Sequence, residues 1–303
     1  MISIVVCHRS KYFLNQLEQS IIKTIGVLYE IVVIDNTANK YNIFQAYNLG
    51  IEQSNYDVIC FAHEDIVFHT NGWGKKVIEH FTNPKVGIIG IAGSHYVPKL
   101  PGSHWNPCVT SCNIIHTING KTNLDLTRYT DNKELSMPAV MLDGVWLCAS
   151  RKVMKQVRFD DVTFSGFHCY DSDICLQIKK IRYDVRIVFD IDIEHFSFGS
   201  KDKIWLKNIY YWFNKWKSEL PISCIELSKS EISRANFLNA EELIEQIIIN
   251  KFGVLNIIKT WSYYLRCNQP INKINLVYAF RLFTGMLIFL LRRFYQKMKV
   301  LGK

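Results

Sequence analysis

The sequence predicts an α/β fold, a mostly parallel sheet flanked by helices, with a helical extension at the C-terminal end. Three observations predict it. Short apolar runs recur through the first two hundred residues, among them Ile2–Cys7, Glu30–Asp35 and Val58–Ala62. Such runs suit strands covered on both faces. The segments between them carry helical spacing, as in Phe13, Leu14, Leu17, Ile21 and Ile22. Polar residues then stand where the runs stop, at Asp35, His63 to Asp65, Asp143 and His195. In open α/β sheets ligands sit outside the carboxyl ends of the strands.

The elements follow in order. Ile2–Cys7 reads as a strand, Lys11–Ile25 as a helix, Glu30–Asp35 as a strand and Ile43–Gln53 as a helix. The segment Asp57–Phe68 begins as the buried strand Val58–Ala62 and stops at His63, Glu64 and Asp65. A helix over Lys75–Phe81 and a strand over Val86–Ile91 come next. This alternation implies a parallel sheet with right-handed crossovers. Gly93–Leu135 lacks clear periodicity and reads as loops with short hairpin strands, a substrate-side insertion. Regular structure returns at Ala139–Ser150, with helices over Arg151–Val157 and Asp171–Ile181 and a strand over Val185–Asp190.

The last third changes character. Lys203–Lys217 and Ala240–Asn250 read as helices. Asn275–Lys299 holds an apolar run, Leu282–Leu291, flanked by Arg281, Arg292, Arg293, Lys297 and Lys299. That run is about half of the ~20 residues a membrane-crossing helix needs. A helix lying on a membrane surface and a helix packed on the domain or on a homodimer partner both fit it. The division expected is a catalytic-type domain over 1–200 and a helical extension over 201–303.

Composition narrows the class. Hydrophobic residues make up 49% and charged residues 21%, which is globular rather than disordered. The net charge of +9 calls for an anionic partner: nucleic acid, a membrane surface or a phosphorylated substrate. The basic residues of the last third lie beside apolar runs, not interleaved with stacking aromatics, and no nucleic-acid module is present, so no nucleic acid is expected. The nine cysteines are scattered, and Cys7, Cys60 and Cys148 sit inside apolar runs. They read as free thiols of a reducing compartment. Cys108, Cys112 and His116 lack a fourth partner and zinc-like spacing. Met1–Cys7 reads as a strand, not a secretory signal. The expected location is cytoplasmic, peripheral at the cytoplasmic membrane.

Each polar cluster has a plain structural alternative. Asp35 and Asn36 suit a turn, Asp171 and Asp173 suit a helix cap, and a lone His195 suits a satisfied core histidine. Together they line one edge of a sheet. There the chain resembles inverting family 2 glycosyltransferases of the GT-A fold, a Rossmann-like nucleotide-diphospho-sugar transferase architecture, and most closely the StrF-domain branch. The resemblance runs from about Ile2 to Ser200. It rests on the opening strand, on Glu30–Asn36, on Ala46–Gly50, on Phe61–Asp65, on Asp143–Trp146, on Gly166–Ile174 and on Glu194–Ser197.

The resemblance implies a nucleotide-diphosphate sugar donor, a glycan or lipid-linked hydroxyl acceptor, and Mn2+ or Mg2+. It implies hexosyl transfer in surface polysaccharide or glycan synthesis. It places Asp35 and Asn36 at the base or ribose, with Asn48, His63 and Glu64 also on the donor side. Asp65 matches the last acid of the family's Asp-x-Asp metal motif, in which His63 replaces the first. His195 matches a histidine at the metal or diphosphate. Asp171 matches the catalytic base, with Asp173 the alternative, although Tyr170 replaces the usual preceding Glu. Asp143, Gly144, Trp146 and His168 fall at the acceptor or sugar pocket. The departures at His63 and Tyr170 leave a second reading, a non-catalytic nucleotide-sugar-binding or membrane-docked assembly subunit of the same fold.

Overall fold

The computed structural model describes residues 1–103, 105, 108–129, 133–197, 199–268, 273–285 and 287. In chain order the elements are β1 (Ile2–His8), α1 (Lys11–Thr24), β2 (Tyr29–Asp35), α2 (Ile43–Gln53), β3 (Val58–Ala62), β4 (Ile66–Phe68), α3 (Trp73–His80), β5 (Val86–Gly90), β6 (Ala92–Ser94) and β7 (Tyr96–Val97). There follow β8 (Thr110–Ile118), β9 (Lys121–Thr127), β10 (Ser136–Ala139), β11 (Met141–Leu142), β12 (Trp146–Ser150), α4 (Arg151–Met154), α5 (Tyr170–Lys180), β13 (Asp184–Val188) and β14 (Ile193–His195). The chain continues through α6 (Lys203–Trp216), β15 (Ile222–Ser223), α7 (Lys229–Ile249) and α8 (Val254–Cys267). Residues 273–285 are also helical.

Two compact units form. One holds 1–97, 109–200 and 222–225, and the other holds 98–108, 201–221 and 226–303. The first is an α/β unit around a seven-stranded sheet in the order β10-β13-β5-β12-β3-β1-β2. β1 pairs in parallel with β2 and β3, and β13 with β5. The sheet is mostly parallel, as expected, with β10 antiparallel to β13 and β12 running antiparallel between β3 and β5. That reversal has a consequence for the site: the turn that starts β12 lies at the carboxyl end of β3. It also sets Cys148 directly opposite Cys60, with Cα atoms 4.0 Å apart, and the two form a disulfide. The expectation of free thiols fails there because cross-strand register, invisible in sequence spacing, makes them neighbours.

A second sheet, β11-β6-β8-β14-β4 with β9 beside β8, stands at the same edge. The hairpin expected within Gly93–Leu135 is present, but its strands are long rather than short: β8 has nine residues and β9 seven. Ile118 pairs with Lys121 across Asn119 and Gly120, both at positive φ. An Asn-Gly pair in a two-residue loop is a strong hairpin signal. The α/β core packs Ile4, Val6, Cys60, Trp73 and Trp146 among its fully buried side chains.

In the helical unit α7 begins eleven residues before the predicted Ala240. Ser228 and Glu231 form a reciprocal capping box there. Its first half buries Asn236 and Asn239, whose amides bond Asn268 (3.0 Å) and the Pro101 carbonyl (3.2 Å). Buried amides break the apolar period that marks a helix in sequence. α8 lies outside every predicted element. The part of 275–299 beyond Leu287 falls outside the described residues.

Candidate active site

The site is built where β3 ends. His63 follows β3 directly, and Glu64 and Asp65 form the turn into β4, which brings the Asp65 carboxylate back to within 3.9 Å of His63 Nδ1. The His63 N–H bonds the Val145 carbonyl at 3.1 Å, tying the strand end to the turn before β12. β14 pairs antiparallel with β4, so His195 lies opposite Ile66, and the Phe196 N–H bonds the Asp65 carbonyl at 3.1 Å. His195 Nε2 is therefore 3.5 Å from Asp65 Oδ1, and His63 Nδ1 is 3.9 Å from the same oxygen. Ligand atoms of His63, Asp65 and His195 all lie within 4.8 Å of one another, the one such group of metal-ligating side chains among the described residues. Burial pushes the Asp65 carboxyl up, but hydrogen bonds from His195 and Ser197 and the nearby imidazoles outweigh it and hold it down at about 2.

Tyr170 completes the cluster. It opens α5 after Cys169 in the left-handed region, φ 72°. Its buried hydroxyl is 2.8 Å from His63 Nε2 and 2.9 Å from the Gly144 carbonyl oxygen. Burial raises its pKa, so it stays protonated. A carbonyl only accepts, so the single hydroxyl proton goes to Gly144 and His63 Nε2–H donates to Tyr170. The His63 lone pair then sits on Nδ1, the nitrogen that faces Asp65. Burial and the adjacent His195 lower the His63 pKa to about 4, so the ring is neutral, the state in which imidazole binds metal. Gly144 must be glycine because a Cβ there would run into the Tyr170 ring.

Asp171 lies on the far side of the same glycine. Its Oδ2 accepts the Gly144 N–H at 3.1 Å and its Oδ1 accepts the Ser172 N–H at 2.7 Å. Burial, then repulsion from Asp143, raise its pKa to about 7. Asp143 accepts the Val145 N–H at 2.9 Å in the turn that launches β12. His63, Asp65, His195, Asp143, Gly144 and Asp171 are thus brought together.

Other predicted residues are placed differently. Asp173 is buried and accepts from Gln177 of its own helix at 2.7 Å. Glu64 accepts the N–H groups of Arg9 and Ser10, both at 2.9 Å, and so caps α1, whose Ser10 side chain makes no cap. Asn36 spends its amide on the Tyr41 carbonyl and N–H, each at 2.9 Å. Asn48 bonds the backbone of Phe159 and lines a different cavity with Glu52 and Arg158. Exposed Asp35 accepts from Thr37 in a local turn. Trp146 corrects the pocket expectation: it is fully buried, 6.2 Å from both Trp73 and Phe68 between ring centroids. It is the first residue of β12 and faces the α1–α3 side of the sheet, so it packs the core. His168 is half-buried beside Phe167.

Two residues near the site were not among the site residues expected from the sequence. Phe167 is exposed, with its ring 5.3 Å from His63, and offers a flat apolar face at the site. His116 pairs in register with His195, with ring centroids 5.9 Å apart. The Asn-Gly hairpin signal would have placed β8; nothing in the sequence aligns it with β14.

The chain matches a glycosyltransferase-like family over residues 3–217, and it belongs to that family. Its α/β architecture is the GT-A fold. Among solved structures it is similar to GalNAc-T7 crystallised with UDP, GalNAc and Mn2+, with a TM-score of 0.51 and 11% identity. The alignment covers 78% of this chain and 54% of that one, so the chain spans about half the length of that structure. A197 from STIV aligns with a TM-score of 0.39 and 12% identity, over 65% of this chain and 86% of that one. No curated protein sequence matches the chain.

Proposed function

We propose that the chain is an inverting glycosyltransferase that moves a hexosyl group from a nucleoside-diphosphate sugar to a hydroxyl of a glycan or lipid-linked acceptor, in surface polysaccharide or glycan synthesis. The observation that carries this reading is the bridge through Tyr170 and Gly144, which joins a metal-ligating cluster to a carboxyl group whose pKa lies near neutrality. The protein similar in fold that was crystallised with UDP, GalNAc and Mn2+ supports the donor class.

Asp171 takes the proton of the acceptor hydroxyl as its oxygen attacks the anomeric carbon. A pKa of about 7 suits a general base at neutral pH. The bond to the diphosphate breaks, the diphosphate keeps the electron pair, and one displacement inverts the centre. Asp65, His195 and His63 fit a divalent cation, since an ionised carboxylate and two imidazoles converge within 4.8 Å. A cation held there supplies positive charge for the departing diphosphate. Two nitrogens in three donors favour Mn2+ over Mg2+, which prefers oxygen ligands. Phe167 provides a face for a sugar or base ring. Asp143, Gly144 and His168 flank the acceptor side, and exposed Asp35 is free to meet the nucleoside.

The test is turnover of UDP-, GDP-, dTDP- and CMP-sugars, each with Mn2+, Mg2+ or EDTA. Release of one nucleoside diphosphate that stops in EDTA and in Asp171→Asn supports the reading. Donor binding with no turnover by the unaltered chain, with acceptor extracts supplied, overturns it in favour of a binding subunit.

A further inference from the structure

The helical unit carries a surface that the transfer chemistry does not use. Residues 273–285 are helical, and one face is buried through Asn275, Ala279 and Leu282. That face is anchored by the Trp261 Nε1–H to the Ala279 carbonyl at 3.3 Å and by Phe237 stacked on Tyr278. The outward face is apolar as well. Leu276, Val277, Phe280 and Phe283 are exposed, with Leu287 just beyond, and Val277 and Phe280 reach 65% and 69%. Their i, i+1, i+4, i+7, i+11 spacing is one stripe of a helix. A contiguous apolar stripe in water marks an interaction site.

The charge around it says what covers it. Residues 201–303 contain seventeen Lys and Arg against seven Asp and Glu, whereas the first 200 contain nineteen against twenty. The whole excess of positive charge therefore belongs to the part of the chain that bears the stripe. A second feature of the same unit asks for an anion. A cavity of about 740 Å³ between α6 and α8 is lined by Lys207, Tyr211, Asn214, Lys259, Ser262 and Arg266, with no carboxylate. Among the described residues none of its three cations forms an ion pair. Like charges gathered without a counter-charge suit phosphate groups. No described helix is long and apolar enough to cross a membrane.

We propose that the outward face of the 273–285 segment docks the protein on an anionic lipid bilayer, with Leu276, Val277, Phe280 and Phe283 in the headgroup–acyl boundary and the basic residues of the same unit attracted to the lipid phosphates. A stripe of exposed apolar side chains in a strongly basic unit is the signature of a helix lying in the interface. A second copy of this chain would bring two units of the same positive sign together, which opposes association at low salt. This inference rests on the helical unit alone and stands or falls separately from sugar transfer.

The experiment is co-sedimentation of the full chain with vesicles of phosphatidylglycerol and phosphatidylcholine, against pure phosphatidylcholine, at low and high salt. Binding to the anionic vesicles is expected, weakened at high salt. The double variant Val277→Glu with Phe280→Glu is expected to lose at least tenfold in partitioning. Both positions are exposed, so its thermal midpoint stays that of the parent, and nucleoside-diphosphate release in solution is unchanged. Equal binding by parent and double variant overturns the proposal, as does failure of the parent to bind anionic vesicles. A self-association of the parent that the double variant abolishes, without vesicle binding, assigns the face to a second copy and also overturns it.

Discussion

Replacing Asp171 with Asn separates what the site costs the fold from what it does. In the folded chain this carboxyl titrates at about 7 instead of 3.8, because burial and Asp143 oppose its ionisation. The folded pKa lies above the unfolded one. Below pH 3.8 both states are protonated and there is no penalty. Between 3.8 and about 7 the unfolded chain ionises while the folded one resists, so stability falls as pH rises. Above about 7 the loss is complete, at most about 4 kcal/mol from roughly 1.4 kcal/mol for each unit of pKa. Asn carries no charge but keeps only one oxygen for the Gly144 and Ser172 N–H groups, so one hydrogen bond, about 1 kcal/mol, is lost at every pH. Asp171→Asn is therefore expected to lower the thermal midpoint slightly at pH 4, where there is no charge to relieve. At pH 8 it should raise it by several degrees, since each 1 kcal/mol is worth ~2–4 °C in a chain of this size class. Differential scanning fluorimetry from pH 4 to 9, in EDTA, reads this directly. Nucleoside-diphosphate release by the same variant should fall by at least ~100-fold, the scale of a lost general base. The same midpoint change at both pH values would refute the burial argument, and retained turnover would refute the assignment of the base.

Other outcomes follow from the same geometry. Tyr170→Phe removes the hydroxyl that fixes the His63 tautomer, and Mn2+ affinity measured by electron paramagnetic resonance should weaken by ~10-fold or more. The unaltered chain should bind Mn2+ more tightly than Mg2+ by calorimetry, and His63→Ala should narrow that preference by removing one of two nitrogen donors. Trp146→Ala should cost ~3–5 kcal/mol in urea unfolding, as expected of a buried core indole rather than a pocket wall.

Much of the α/β unit is legible in the chain because its signals are local. Ile43–Gln53 is a helix with the predicted bounds, fixed by its apolar spacing and the Asn42–Gln45 capping box. β1, β2 and β3 are apolar runs long enough to be strands and bounded by polar stops. His63 and Asp65 are near each other because only a two-residue turn separates β3 from β4 after His63. α7 was only half visible because Asn236 and Asn239 are buried in hydrogen bonds rather than in apolar contacts.

The rest depended on which strands become neighbours. Nothing in residues 146–150 says that β12 runs antiparallel between β3 and β5, yet that placement buries Trp146, bonds Cys60 to Cys148 and brings Gly144 to the end of β3. Antiparallel pairing of β14 with β4 brings His195 to Asp65 across more than a hundred residues. The replacement of Glu by Tyr170 looks like a loss in sequence and becomes the link between His63 and Gly144 only once α5 is docked. Sequence by itself determined the strands, the helices and the residue types at one edge, because backbone preference and apolar periodicity act over a few residues. Tertiary structure alone decided which of those residues touch, because register and strand direction are set by packing the whole sheet.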